Sequence, residues 1–137
     1  MIVFDTSALI AYLRDENGAD AVEDLLNDAD VAKVAHIVNL AEVFTSFAKS
    51  NDDATAREAL ATLYAVGIVE SREMDTALWQ DAAALVAQQR KNGHGLSLGD
   101  SFCVALARRL NADIVTGDHP EFGPIQAANI AQVIFFR

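Results

Sequence analysis

Apolar residues along the chain keep two rhythms. Short apolar or β-branched runs predict strands at Met1–Phe4, Val31–Ala35, Gly67–Ser71, Asp113–Thr116 and Gln132–Phe136. Between them apolar residues recur at helical spacing. Ala8, Leu9, Tyr12 and Leu13 mark one helix, and Val22, Leu25 and Leu26 another over Ala19–Asn27. Leu40, Val43, Phe44 and Phe47 stand at i, i+3, i+4 and i+7 in a predicted helix over Asn39–Lys49. Further helices are predicted over Asp53–Tyr64 (Ala59, Leu60, Leu63 inward), Thr76–Lys91 (Leu78, Trp79, Ala82, Leu85, Val86) and the Ala-rich Leu98–Leu110. Asn92–Gly95 reads as a loop.

Strands alternating with helices imply an α/β/α sandwich, a central and mostly parallel sheet with helices on both faces. No linker, repeat or low-complexity tract interrupts the pattern, so residues 1–137 are expected to form one domain. In such sheets ligands bind beyond the C-terminal ends of the strands. The positions of polar residues just after strands therefore matter.

Composition narrows the functions. Hydrophobic residues make up 52% and charged residues 22%, enough to bury a core and too apolar for a disordered chain. The single cysteine, Cys103, excludes an internal disulfide and a zinc-cysteine cluster. The N-terminus lacks the basic stretch and small-residue cleavage pattern of a signal peptide, and no apolar run is long enough to span a membrane, so a cytoplasmic location is expected. Ten Lys and Arg against twenty Asp and Glu give a net charge of −10, which argues against broad binding of nucleic-acid backbone. It leaves room for a metal-dependent nuclease, because a carboxylate cluster is itself acidic and bound cations reverse its sign.

Asp5 follows the first strand directly, and Asp118 follows the strand Asp113–Thr116 after one glycine. Glu42 lies near the start of the helix after Val31–Ala35, and Asp100 opens the Ala-rich helix. Four acids distant in sequence are thus predicted at one edge of the sheet. Each also has a plainer reading. Asp5 is placed to cap the first helix, and Asn39-x-x-Glu42, Ser97-x-x-Asp100 and Asp118-x-x-Glu121 each resemble a capping box. Capping and metal binding are compatible, since a helix start holds a carboxylate rigidly. Clustered carboxylates suit Mg²⁺ or Mn²⁺, which prefer hard oxygen ligands. Two such ions about 4 Å apart can activate water and stabilise the leaving oxygen in phosphodiester cleavage.

Ile2-Val-Phe-Asp5-Thr-Ser-Ala-Leu-Ile, Asn39-Leu-Ala-Glu42-Val, Leu96-Ser-Leu-Gly-Asp100-Ser-Phe-Cys-Val-Ala-Leu-Ala107 and Val115-Thr-Gly-Asp118-His-Pro-Glu-Phe122 resemble the four signature blocks of PIN domains. They are most similar to those of the VapC-type toxins of bacterial toxin–antitoxin pairs. One block alone occurs by chance; four in order, spanning the chain, are specific. The resemblance implies a PIN-like fold and metal-dependent endonucleolytic cleavage of RNA. It implies Asp5, Glu42, Asp100 and Asp118 as the catalytic and metal-binding acids, with Glu121 a rival to Asp118. Thr6 or Ser7 would be a polar neighbour of the first acid and Thr116 of the last. The resemblance also implies a homodimer and a cognate antitoxin that covers the acidic site.

Other residues favour plainer roles. His36 reads as a core or edge histidine, because it has no partners at metal-ligand spacing. His94 reads as a solvated loop residue and His119 as either a turn residue or a phosphate contact. Cys103 reads as a small core residue, and Trp79, Phe44 and Phe47 as core or interface residues. Arg14, Lys49, Arg90 and Lys91 are scattered surface charges, some of which could line an RNA path. Two other functions compete. A phosphotransfer domain would use Asp5 as a nucleophile, but a haloacid-dehalogenase-like site needs an acid where Ser7 stands, and the paired acids of a receiver are absent. A binding module that has lost activity would be missing an acid, and all four are present.

Overall fold

The computed structural model describes residues 1–137. Its elements run β1 (Ile2–Phe4), α1 (Thr6–Leu13), α2 (Ala19–Asn27), β2 (Lys33–His36), α3 (Ile37–Ser50), α4 (Asp53–Ala65), β3 (Ile68–Ser71), α5 (Thr76–Lys91), α6 (Leu98–Leu110), β4 (Asp113–Thr116), α7 (His119–Ala127) and β5 (Val133–Phe135). The five strands form one sheet in the order β3-β2-β1-β4-β5. Every pairing is parallel. The expected mostly parallel sheet is therefore parallel throughout.

Burial on both faces explains the continuous apolar runs of the strands. Side chains alternate across the sheet. Ile2, Phe4, Ala35 and Val115 point into a core completed by α1 to α4, including Leu9, Val22, Val43 and Leu63. Val3, Val34, Ile114 and Val133 point the other way, against Leu78, Leu85, Phe102, Leu106, Phe122 and Ile125. No helix is long and apolar enough to cross a membrane.

Three features depart from expectation. The segment after β4 forms α7, which the apolar pattern did not predict. It is short, and Pro124 lies inside it. Asp118 caps it, Pro120 stands in its first turn, and Phe122 and Ile125 fasten it to the core. Second, α3 starts at Ile37, directly after β2, so Asn39 is not its cap. His36 takes that role, accepting the Val38 N–H through Nδ1 at 3.1 Å. Third, Trp79 faces outward on α5 and is 45% exposed, so of its two expected places, core or interface, the core is excluded.

The chain walks β1 to β2 to β3 in one direction, then returns to place β4 on the other side of β1. The crevice at such a reversal, above the C-terminal ends of β1 and β4, is where this architecture binds ligands. Asp5 and Asp118 follow those two strands.

Candidate functional site

Asp5 caps α1, and its two oxygens differ sharply. Oδ2 accepts the Ser7 N–H at 3.2 Å, the Ser7 hydroxyl at 2.8 Å and the Thr116 hydroxyl at 2.9 Å. Each hydroxyl is oriented by a backbone donor. The Gly117 N–H donates to Ser7 Oγ at 2.9 Å and the Asp118 N–H to Thr116 Oγ1 at 3.0 Å. One network therefore ties β1, the start of α1 and the turn from β4 to α7. Oδ1 is buried and has no hydrogen-bond partner. Leaving such an oxygen unpaired costs about 1–3 kcal/mol, and a cation is one group that relieves that cost.

Glu42 lies in the second turn of α3. Its Oε2 accepts the Thr6 hydroxyl at 2.6 Å. Its carboxylate also rests against Gly99, where a Cβ would stand only 2.6 Å from Glu42 Cδ. Asn39, fully buried, donates to the Gly99 carbonyl at 3.2 Å and to Thr6 Oγ1 at 3.3 Å, joining α3, α6 and α1. Burial pushes the Glu42 carboxyl above its usual range; the Thr6 hydrogen bond opposes this, and the charges of Asp5 and Glu121 add to it.

The remaining acids come from two helix starts. Ser97 caps α6, its Oγ accepting the Asp100 N–H at 3.1 Å. Asp118 caps α7, Oδ1 accepting the Glu121 N–H at 3.0 Å. Glu121 reaches back to accept the Ser97 N–H at 2.7 Å, which locks the two helix starts together. Ligand oxygens of Asp100, Asp118 and Glu121 lie within 4.8 Å of one another. Asp100 is buried, and burial raises its carboxyl well above the ordinary range, with proton sharing with Glu121 and the charge of Asp5 acting the same way. The hydrogen bond from Asp100 holds Glu121 below its usual value.

The structure brings all four expected acids together: Asp5 acts on Glu42 and Asp100, and Asp100 sits with Asp118. It also places Glu121 in the cluster, so Asp118 and Glu121 stand side by side. The capping readings of Asp5, Ser97 and Asp118 hold as well. The donor set is all carboxylate, which matches a hard divalent cation such as Mg²⁺ or Mn²⁺. Asp5 Oδ1, unpaired and buried, fits a ligand atom for such an ion.

His36, His94 and Cys103 fall outside the cluster. His36 is buried, stacks on Phe102 at 5.0 Å and has Nε2 2.8 Å from the Glu73 carbonyl. With Nδ1 accepting from Val38, Nε2 must donate, and the ring is a neutral brace; burial lowers its pKa, opposed by Glu73. His94 is exposed. Cys103 is buried, and burial pushes its thiol up, away from nucleophilic use.

The chain is an α/β protein with an all-parallel sheet and a carboxylate cluster at its reversal point, a candidate cation site. The sequence profile of the PIN domain matches residues 2–120, and the chain belongs to the PIN-domain family. Its fold is also similar to solved VapC-containing structures. These include VapBC2 from Rickettsia felis bound to a promoter DNA fragment (16% identity, TM-score 0.75, 98% of each chain covered). VapBC-1 from nontypeable Haemophilus influenzae is 20% identical, with a TM-score of 0.71 over 99% of this chain and 98% of that one. VapC20 from Mycobacterium tuberculosis, a toxin that cleaves the sarcin-ricin loop, is 16% identical, with a TM-score of 0.71 over 93% and 95%. Comparison with curated protein sequences returned no match.

Proposed function

We propose that this chain is a metal-dependent endoribonuclease, the toxin of a type II toxin–antitoxin pair, with residues 1–137 forming one catalytic domain. One observation carries the reading: Asp5 presents a bare, buried oxygen in a cluster that also holds Glu42, Asp100, Asp118 and Glu121. Family membership and the fold it shares with VapC toxins support it.

Asp5, Asp100, Asp118 and Glu121 would hold Mg²⁺ or Mn²⁺, with Glu42 beside them. The bound ion would supply a water of lowered pKa and a counter-charge for the phosphodiester. The chain's own task is to hold that carboxylate array still. Ser7 and Thr116 fix Asp5 by occupying Oδ2, so only Oδ1 is free. Thr6 fixes Glu42, and the Ser97–Glu121 bond fixes α6 against α7. Such rigidity is what positioning catalysis requires.

A groove of about 430 Å³ has a floor that includes Tyr12, Leu13, Phe47 and Ala59, with Asp15, Asp20, Glu23 and Glu58 also lining it. Its apolar and acidic lining would suit an antitoxin segment that is amphipathic and carries basic residues. A homodimer and a cytoplasmic location complete the reading on the strength of the family resemblance. Purified protein should cleave a mixed RNA pool with Mn²⁺ or Mg²⁺ and stop with EDTA, and Asp5→Asn should stop it too. Cleavage that persists in EDTA, or in Asp5→Asn, contradicts the proposal.

A further inference from the structure

The acidic centre poses a problem for a polyanionic substrate. Metal ions would neutralise the scissile phosphate, but neighbouring phosphates still face five carboxylates on a chain of net charge −10. A fixed cation at the rim would solve it. Most Lys and Arg side chains lie elsewhere or are engaged in ion pairs remote from the acids, as with Arg108 on Asp81 and Arg109 on Asp75.

Arg137 is also ion-paired, to Glu16, but through Nη1 alone. Its guanidinium lies over the Phe136 ring, 5.0 Å from the centroid, and Nη1 donates to Glu16 Oε2 at 3.2 Å and the Asn17 carbonyl at 3.3 Å. The backbone at Arg137 is held too, its carbonyl 2.7 Å from His119 Nε2. These contacts use one nitrogen only. Nε–H and Nη2–H, which form the side-on edge of a guanidinium, have no hydrogen-bond partner in the protein, and the side chain is 31% exposed. That edge is the donor pair that matches two oxygens of a phosphate.

Gly117 places this edge beside the site. A Cβ there would stand 2.8 Å from Arg137 Nε and 2.8 Å from Phe136 Cζ. Gly117 is not among the positive-φ glycines, so its backbone does not demand glycine. What demands it is space for the arginine and its aromatic support. Gly117 immediately precedes Asp118, and its own N–H holds Ser7 on Asp5. The guanidinium is thus held against Gly117, the residue before Asp118, with Nε and Nη2 unpaired.

We infer that Arg137 is a substrate-positioning residue whose Nε–Nη2 edge takes the non-bridging oxygens of a phosphate flanking the scissile one. The inference rests on the ribonuclease reading. Glu16 and the Asn17 carbonyl hold the guanidinium through Nη1, Phe136 supports its face, and Gly117 makes room for Nε. Arg137 takes no part in the bond cleavage itself, so it governs KM more than kcat.

The test uses an RNA oligonucleotide that the wild-type protein cleaves, found in a mixed pool with Mn²⁺. A series of the same oligonucleotide carries one neutral methylphosphonate linkage at a time. Wild type should lose roughly tenfold in kcat/KM at one linkage beside the cleavage point, the scale of a lost charge-assisted hydrogen bond. Arg137→Gln should show a similar loss on the unmodified RNA, mostly in KM, and no further loss at that linkage. Arg137→Lys should recover only part, because it keeps the charge and lacks the planar edge. Gly117→Ala, whose Cβ would crowd Nε and the Phe136 ring, should raise KM as well. If Arg137→Gln retains the full wild-type sensitivity at every linkage, or Arg137 variants lose kcat and melting temperature with KM unchanged, the residue is a structural clamp and the inference fails. If wild type cleaves no RNA with metal, the ribonuclease reading fails and takes this inference with it.

Discussion

The two oxygens of Asp5 divide between folding and the proposed metal chemistry. One oxygen is saturated by three donors and the other is left bare. Thr116→Val keeps the volume but removes a donor to Asp5 and the acceptor of the Asp118 N–H. Stability should drop by about 1–3 kcal/mol in denaturant titrations, and metal-dependent cleavage by roughly 10–100-fold, the usual effect of losing a group that orients a metal ligand. Asp100 gives a prediction of opposite sign. Its carboxyl is raised on folding, so the folded state holds a proton that the unfolded state releases above about pH 4. In metal-free protein this group's contribution to stability falls as pH rises through that window. Asp100→Asn should therefore melt higher than wild type in EDTA, and the gap should widen from pH 4 towards neutrality, while cleavage is lost. A gap that is flat with pH contradicts the crowding argument. The acids were legible in the sequence because Asp5 and Asp118 follow strands and Asp100 opens a helix. Ser7 beside Asp5 and Thr116 beside Asp118 were expected from the resemblance; the bond from Thr116 to Asp5 was not, because it spans 111 positions and only the folded sheet brings the two together.

At the level of elements, most strands and helices were legible because both periodicities were strong. Element α7 was not. Nine residues with Gly123, Pro120 and Pro124 carry little intrinsic helix preference. Its signals were local: the Asp118-x-x-Glu121 capping pattern, Pro120 in the first turn, and Phe122 with Ile125. The start of α3 was misplaced because histidine is an uncommon cap, and because β2 passes into α3 without a turn residue. Helix α6 carries a constraint that its sequence hides. Gly99 is needed for close approach, since the Glu42 carboxylate occupies the space of its missing side chain. Gly99→Ala should push Glu42 away from Thr6 and lower cleavage at least tenfold. Alanine also favours helix over glycine by up to about 1 kcal/mol, so the melting temperature should hold or rise. A melting temperature that collapses along with activity would show that Gly99 serves packing rather than the site.

For the whole molecule, strand order decides where the chemistry lies. The reversal between β1 and β4 opens a crevice, and loops and helix starts from β1, β4, α3 and α6 bring five carboxylates to it. Parallel alternation was readable from the sequence; the order β3-β2-β1-β4-β5 was not, because it depends on which strands pair. Concentrating like charges in one place costs stability that a bound cation returns. Mn²⁺ at a hundred times its Kd should stabilise the fold by about 2.7 kcal/mol, on the order of 9 °C in melting temperature for a chain of this length. Asp5→Asn should blunt that shift. The most direct test of the metal centre is diffraction from Mn²⁺-soaked crystals, recorded at the manganese absorption edge. The account predicts an anomalous peak at coordination distance from Asp5 Oδ1 and bounded by Asp100, Asp118 and Glu121. A well-ordered cluster with no peak at saturating Mn²⁺, or a peak that leaves Asp5 Oδ1 uncoordinated, would contradict it.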